Sequence, residues 1–271
     1  MRPMADLIRK IVILLHISFI SKSYTRLEKK IVGGDYVKIR HHPHAVFLEI
    51  INKVGETHIC GSSVLNQLYL LSAAHCFYGD GNYQISAFAG HENIKNAIAH
   101  RKVRTSIVHD NFKYEKVEND IALLLLYREL PLGKYIKRIT LKRSFPNGAA
   151  SGVVAGWGII NDITGQEPIS LKSVRQSVKS KRLCAVVGIT KSTFCAGSMR
   201  SSDPRPAAGD SGSGLVTPSF QLLGIVSYKL ELHSALPVYT NVSYFYHWIK
   251  QQTQFAYCQY KLNQYNKKNK N

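Results

Sequence analysis

Three distant segments of the chain carry the side chains of a nucleophilic catalyst. Ser211 lies in the run Gly-Asp-Ser-Gly-Ser-Gly, His75 follows Leu-Ser-Ala-Ala, and Asp120 precedes Ile-Ala-Leu-Leu. A serine hydroxyl is a poor nucleophile at neutral pH and needs a base to take its proton. A histidine can be that base, and a carboxylate can hold its tautomer and stabilise the imidazolium. These residue types therefore predict attack of Ser211 on a carbonyl carbon.

The three segments and their order resemble the chymotrypsin-like (trypsin family) serine proteases. The resemblance extends from Ile31 to about Gln252 and includes the run Ile-Val-Gly-Gly at 31–34. Two further matches are Val-Val-Ala-Gly-Trp-Gly at 153–158 and Pro-Val-Tyr-Thr at 237–240. A single Gly-Asp-Ser-Gly is a weak signal, because short motifs recur by chance. Several motifs in the family's order make chance an inadequate explanation.

The resemblance implies an all-β fold of two six-stranded antiparallel β-barrels, with an active-site cleft between them and a C-terminal α-helix. The protease domain is expected over residues 31–252, with the junction between the barrels near residue 145. His75 and Asp120 would come from the first barrel and Ser211 from the second. Backbone N–H groups of Gly209 and Ser211 would form the oxyanion hole.

Short apolar and alternating runs broken by turn residues independently favour a barrel or sandwich of β-strands. Helical spacing of apolar residues predicts a closing helix over 244–254. The predicted strands cover residues 45–51, 63–71, 84–89, 103–108, 121–126, 153–157, 171–178, 214–216, 222–228 and 238–242.

The first thirty residues indicate export and proteolytic activation. Basic residues precede an apolar run at 11–20 that is too short to span a bilayer, so residues 1–23 are interpreted as a signal peptide. Residues 24–30 would be a pro-segment. The resemblance implies that cutting after Lys30 frees the ammonium of Ile31, which pairs with Asp210. An activating protease that prefers a basic residue is therefore expected, and the mature protein is predicted to be extracellular without a membrane span.

The chain has five cysteines, and export would permit disulfides. The resemblance implies bridges between Cys60 and Cys76 and between Cys184 and Cys195. Cys258 is left over, and it could pair with another chain or remain a free thiol. No structural metal or other cofactor is expected, because neither paired cysteines and histidines nor acid-rich loops occur at ligand spacing.

The predicted specificity pocket departs from the family. The position six before the nucleophile, at the pocket floor in relatives, is Arg205. Ser227 and Tyr228 match the strand that binds substrate backbone. Lys229 follows where a wall glycine is usual, and Pro237 lies in the opposite wall. All five positions are expected to line the substrate site.

Three outcomes for this pocket stay open from the sequence. The two cations could pair with an acidic side chain, since guanidinium recognises carboxylate well. Bulky wall residues could instead fill the pocket and leave only shallow specificity. Alternatively, a shifted loop could bring Asp203 to the floor and restore trypsin-like preference. Ala207 stands where relatives have a bracing cysteine.

The formal net charge is +19, with basic clusters around 100–104, 137–143 and 179–182 and a basic tail at 253–271. Such a field attracts polyanions. A sulfated glycan is a candidate partner besides the protein or peptide substrate, whereas nucleic acid is not expected for an exported chain. The sequence thus predicts a secreted serine endopeptidase, made as a zymogen, with nonstandard primary specificity. The alternative is an inactive protease-like protein that binds through its basic surface.

Overall fold

Short β-strands make up most of the chain, as its apolar periodicity predicts. A computed structural model describes residues 33–79, 83–145, 150–159 and 168–254. The predicted signal peptide, the pro-segment with Lys30 and Ile31, and the tail with Cys258 lie outside the described residues. Their assignments therefore stay predictions.

The described strands are, in chain order, β1 (Asp35–Tyr36), β2 (Ala45–Ile51), β3 (Thr57–Val64), β4 (Tyr69–Ser72), β5 (Gln84–Ala89), β6 (Ala99–Val108), β7 (Ala122–Leu126), β8 (Thr140–Leu141), β9 (Ser151–Gly156), β10 (Lys172–Ser177), β11 (Thr193–Cys195), β12 (Gly214–Val216), β13 (Gln221–Tyr228) and β14 (Val238–Asn241). The α-helices are α1 (Lys181–Cys184) and α2, which covers residues 246–254. Short 3-10 turns lie at Ile39–His41, Ala74–Phe77, Ile94–Asn96, Ala185–Val187 and Glu231–His233.

The first half forms a closed barrel in the order β2-β3-β4-β7-β6-β5, which confirms the six-stranded barrel predicted for it. Alternation places Ile85, Ala87 and Ala89 of β5 inside. Every residue of β7 is buried, because its second face is also covered. Large aliphatic side chains from all six strands fill the barrel interior.

The single strand predicted over 63–71 is wrong, because the chain reverses direction within that apolar run. Strand β3 ends at Val64 and β4 begins at Tyr69. Between them the side-chain oxygen of Asn66 accepts hydrogen bonds from the N–H groups of Leu68 and Tyr69, each at 2.9 Å. An asparagine that bonds its own following backbone mimics a turn, and it does so here between two buried strands.

The second half is an eight-stranded sheet in the order β1-β10-β9-β12-β13-β14-β11, with β8 pairing parallel to β13. The two short strands β1 and β8 supplement the six predicted for this half. Phe47 of the first barrel meets Trp157 edge to face at 6.0 Å, and this contact belongs to an apolar cluster between the two halves. The chain is therefore all-β with two packed halves, as predicted.

Helix α2 closes the fold on the first barrel. Phe245, which precedes it, and Ile249 within it belong to the core of that barrel. His109 of the barrel packs against Phe245, with ring centroids 5.2 Å apart. The predicted C-terminal helix is confirmed, two residues later than expected. None of the helices in the described part of the chain is long and apolar enough to cross a membrane.

A wholly buried imidazole lies at the start of β2. His44 is 1% exposed and packs edge to face on Phe220 of the second half, with ring centroids 5.5 Å apart. Neither of its ring nitrogens forms a hydrogen bond with a described residue. Burial foremost, and then the charge of His42, lower the pKa of His44 from 6.5 to about 3. Burying the charged form is costly, so the folded protein holds this ring neutral.

His44 is expected to make the fold sensitive to acid. Its pKa is depressed in the folded state, so its destabilising effect is absent above pH 6.5 and grows as the pH falls toward about 3. The measurement is urea unfolding at pH 7 and pH 5, in a Ser211→Ala background that prevents autolysis. Between these two pH values, the free energy of unfolding of His44→Phe should fall by about 2 kcal/mol less than that of the parent. The exposed-site control His247→Gln should match the parent. An equal loss in His44→Phe and the parent would contradict this prediction.

Candidate active site

The carboxylate of Asp120 is the most completely bonded group in the cleft. It is 0% exposed, follows Asn119 in a left-handed conformation (φ 55°), and precedes β7. Its Oδ1 accepts the backbone N–H of His75 at 2.9 Å, and its Oδ2 accepts the Ser227 hydroxyl at 2.5 Å. Its carbonyl oxygen accepts the Thr240 hydroxyl at 2.7 Å. Hydrogen bonds of this kind offset the cost of burying a carboxylate.

His75 is oriented by the same carboxylate. It lies in the 3-10 turn after β4, and its Nδ1 is 2.8 Å from Asp120 Oδ2. An Nδ1–H that donates to a carboxylate leaves the lone pair of a neutral imidazole on Nε2. The side chain is 23% exposed, so it is reachable from solvent. His75 and Asp120 are therefore arranged as a base and its orienting group.

Ser211 is held beside this pair by backbone contacts from both halves. Its carbonyl oxygen accepts the N–H of Gly61 in β3 at 2.7 Å, and the next residue, Gly212, donates to the carbonyl of Val226 at 2.9 Å. Cys76 Sγ lies 4.0 Å from both His75 Nε2 and the Ser211 carbonyl oxygen. The structure brings the three predicted catalytic residues together. His75 Nε2 and Ser211 Oγ do not form a hydrogen bond in it, and such bonds commonly tighten only with substrate.

Two glycines shape the loop around Ser211. Gly209 and Gly212 have φ values of +87° and +84°, which side chains other than glycine rarely adopt. A Cβ on Gly209 would lie 2.7 Å from Ile59 Cδ1, so the residue also has to be small. The N–H groups of Gly209 and Ser211 donate to no described residue. Both therefore remain available to an oxygen anion, as the predicted oxyanion hole requires.

A second buried carboxylate, Asp210, lies directly before Ser211. Its two oxygens accept the N–H groups of Gly158 and Ala207, each at 2.9 Å. Burial raises its pKa from 3.8 to about 6, while those two N–H groups and then the charges of Lys229 and Lys172 act to lower it. Lys172 is itself 1% exposed. Ile31, the predicted partner of Asp210, lies outside the described residues.

The predicted pocket residues differ in exposure and in the contacts that they make. Arg205 is 8% exposed, and its Nη1 donates to the carbonyl of Ser201 at 2.5 Å. Lys229 is half-buried and close enough to Asp210 to influence its pKa. Tyr228 donates its hydroxyl to the Val187 carbonyl at 3.1 Å, and Pro237 is buried.

Asp203, which a shifted loop could bring to the pocket floor, lines a cavity with a volume of about 440 Å³ together with Gly33, Pro204 and part of β10. Arg205, by contrast, is held at a buried position. The three outcomes for the specificity pocket stay predictions.

The sequence missed how Asp120 is anchored. Ser227 was predicted only as a substrate-binding residue, yet its buried side chain donates to Asp120. Thr240 was assigned no role. These residues lie 107 and 120 positions from Asp120, and no local pattern links a hydroxyl to the carboxylate or the carbonyl of a residue over such a separation. Only the packing of β13 and β14 beside the first barrel brings them together.

Disulfides join Cys60 to Cys76 and Cys184 to Cys195, and these are the pairings that the resemblance implied. The first connects β3 to the turn that carries His75. His75 and these two cysteines lie close enough together to suggest a metal site. However, the two sulfurs are bonded to each other and provide no thiolate, so the cluster offers a single imidazole.

Comparison with known proteins agrees with this geometry. The trypsin family model matches residues 31–249. Trypsin-1 of Astacus astacus is 31% identical to this chain, and the match covers 81% of this chain and 98% of that protein. Duodenase-1 of Bos taurus is 32% identical, and the match covers 81% of this chain and 88% of that protein. A solved structure described as "Structure of GrC" superposes with a TM-score of 0.74 at 26% identity, covering 82% of this chain and 99% of that chain. The chain therefore belongs to the trypsin family and is a serine endopeptidase.

Proposed function

We propose that this protein is a secreted endopeptidase, made as a zymogen, that hydrolyses peptide bonds through Ser211, His75 and Asp120. The observation that carries the proposal is the pair of contacts from Asp120 to the backbone N–H and to Nδ1 of His75. They hold the imidazole in the tautomer with a free Nε2, which is the form that a general base needs.

In the reaction, Nε2 of His75 takes the proton of Ser211 Oγ as that oxygen attacks the scissile carbonyl carbon. The N–H groups of Gly209 and Ser211 donate to the resulting oxyanion. Protonated His75 then gives its proton to the leaving amine, and an acyl-enzyme forms on Ser211. Water, deprotonated by His75, cleaves this ester and restores the serine. The Asp120 carboxylate, bonded to Nδ1, offsets the imidazolium charge.

Activation by cleavage after Lys30 is supported by the state of Asp210. This carboxyl group is wholly buried between two backbone donors, and burial raises its pKa to about 6. The ammonium of a new Ile31 terminus would supply a full positive charge beside it. A buried ion pair is stabilising only when both partners are present. The missing partner would thus be created by the cut, which couples proteolysis to the order of the Ser211 loop.

Two disulfides support export, since such bonds persist in oxidising compartments. The extracellular enzyme left after removal of residues 1–30, which carry +5 of the chain's formal charge of +19, would stay strongly basic and would meet polyanions there. A sulfated glycan is therefore proposed as a partner, besides the peptide substrate and an activating protease that cuts after a basic residue.

A nonstandard primary specificity is supported by the pocket residues. By the family resemblance, Arg205 and Lys229 would be two cations at positions where a trypsin-like enzyme binds a cationic side chain. Pro237, which is buried, would make the pocket narrower from the opposite wall. Cleavage after lysine or arginine would therefore be disfavoured by both charge and size.

The triad is expected to act only with Ser211 intact. Protein cut after Lys30, with its Ile31 terminus confirmed, should be labelled at Ser211 by a fluorophosphonate, and Ser211→Ala should not. Asp120→Asn should lower kcat by about 10⁴-fold, because the imidazole loses its required tautomer. The measurements are labelling stoichiometry and peptide hydrolysis. A folded, properly cut chain that takes no label would instead favour the inactive protease-like binding protein.

The zymogen switch is tested by comparing cut and uncut chains. Cleavage after Lys30 should raise peptide hydrolysis by roughly a hundredfold or more, the effect expected from completing a buried ion pair. Asp210→Asn should stay at the uncut level after cleavage, because Ile31 then has no carboxylate to pair with. Lys30→Gln, treated with the same basic-specific activator, is the control: any cut after Lys29 would not free Ile31, so hydrolysis should stay at the uncut level. Equal activity of cut and uncut wild type would refute the switch.

The pocket is tested with a peptide library that varies the residue before the scissile bond. Lysine and arginine at this position should give a kcat/KM at least roughly tenfold below the best residue, equivalent to about 1.4 kcal/mol of transition-state binding. Lys229→Gly should raise kcat/KM for large and cationic residues by removing bulk and charge. Tyr228→Phe, which loses only a hydroxyl, should leave the ranking unchanged. A wild-type preference for lysine or arginine would show this interpretation to be wrong.

A further inference from the structure

We infer that the outer surface of the first barrel contains a binding site for a sulfated glycan, remote from the catalytic cleft. The site, which we name the basic face, is a cavity of about 430 Å³ lined by His100, Arg101, Lys102, Tyr127 and Arg128. The inference deepens the polyanion partner proposed above by naming its site. It does not depend on the catalytic assignments.

Strand pairing brings these residues together from two segments. Strand β6 lies beside β7, and the N–H of Tyr127 donates to the carbonyl of Lys102 at 3.0 Å just beyond the ladder. Tyr127 and Arg128 therefore lie next to the start of β6. Lys102, Arg128 and Tyr127 are exposed, with Tyr127 60% exposed. The cavity is thus open to solvent and is lined by cations from two segments.

Arg101 is positioned before any ligand arrives. Its Nε donates to the carbonyl of Glu129 and its Nη1 to the carbonyl of His100, each at 2.9 Å. A guanidinium carries five N–H donors in a rigid plane, so three remain for a ligand. Fixing the plane in advance lowers the entropy lost on binding. Guanidinium groups recognise tetrahedral oxyanions through paired hydrogen bonds.

The positive charge of the basic face is not neutralised within the described part of the chain. None of its three permanent cations lies within 4.0 Å of a described carboxylate. Glu129 contacts Arg101 through its carbonyl, and it lines another cavity with Lys250. Glu49 is in register with Lys102 through Ser86, two strand spacings or about 10 Å away. That separation is close to the screening length in physiological salt.

The cavity favours a glycan over other polyanions. His100, which lines the cavity, stacks on Phe88 with centroids 4.4 Å apart and planes within 8°, so this contact holds the plane of the imidazole ring. Tyr127 adds an exposed ring and a hydroxyl. A sugar ring offers both an apolar face and hydroxyl groups, and its sulfates match the cations. A concave site that includes partly buried Arg101 is a poor fit for a flat membrane surface.

The basic face is far from the catalytic residues. The other end of β6 pairs Val108 with Ala122, two positions after Asp120. Lys102 lies six residues earlier in β6, which corresponds to about 20 Å along the strand. A glycan bound there would leave the cleft open, so the enzyme would be retained on a sulfated matrix while still able to cleave peptides.

The test is binding of a size-defined heparin oligosaccharide to the full chain cut after Lys30. Arg101→Gln, Lys102→Gln and Arg128→Gln combined should weaken binding by roughly 30-fold or more and flatten its salt dependence. The matched control combines Lys181→Gln, Arg182→Gln and Lys191→Gln, which remove the same charge from exposed positions elsewhere. It should weaken binding by less than about threefold, as expected for distant screened charges.

Peptide hydrolysis separates this inference from the proposed catalysis. Both triple variants should retain wild-type hydrolysis and circular dichroism, and the oligosaccharide should not inhibit it. If the cut wild-type chain does not hydrolyse peptides, but the basic-face triple variant still loses oligosaccharide binding selectively, only the catalytic proposal is contradicted. An equal loss of oligosaccharide affinity in both triple variants would overturn the proposed site, because the net charge of the protein would then be enough to explain the binding. Tighter binding of phosphatidylserine vesicles or single-stranded DNA than of the oligosaccharide would overturn the choice of a glycan.

Discussion

The buried carboxylate of Asp120 is the constraint on which the rest of the site depends. A carboxylate without solvent must be satisfied by hydrogen-bond donors, and here the donors come from both halves of the molecule. His75 belongs to the first barrel, whereas Ser227, which donates to the same carboxylate, belongs to a strand of the second sheet. Thr240 of the next strand donates to the backbone carbonyl of Asp120. The relative position of the two halves is therefore coupled to the orientation of the imidazole. A displacement between them would cost hydrogen bonds to a buried charge.

The two buried aspartates are in contrasting states. Asp120 accepts the backbone N–H and the Nδ1–H of His75 and the hydroxyl of Ser227, and these contacts hold the imidazole in place. Asp210 has two backbone donors among the described residues, and burial raises its pKa to about 6. Burying a carboxylate is costly at both positions, but the consequence differs between them. At Asp120 it fixes geometry, while at Asp210 it leaves a demand for positive charge that a new chain terminus can meet.

Positive charge occurs in two separate regions, near the cleft and on the basic face. In the specificity proposed here, Arg205 and Lys229 would replace the small or acidic groups of a trypsin-like pocket in the cleft. The basic face lies on another side of the first barrel, where the plane of Arg101 is held by two carbonyls. Specificity in the cleft and attachment elsewhere can therefore vary independently, since screened charges 20 Å apart interact weakly.

The sequence by itself determined the family, the all-β architecture and the identity of His75, Asp120 and Ser211. Each of these residues lies in a local motif whose chemistry needs that side chain. Most strands were also predictable, because alternating burial leaves a period of two in the sequence. The apolar run around Asn66 was misread, since a turn of only a few residues between two buried strands leaves little mark on the apolar pattern. Only the tertiary structure decided which hydroxyls reach Asp120, that Arg205 rather than Asp203 is the buried residue, and that Arg101 and Arg128 share one cavity. These contacts join residues far apart in the chain, and their partners are selected by the packing of strands and not by any local pattern.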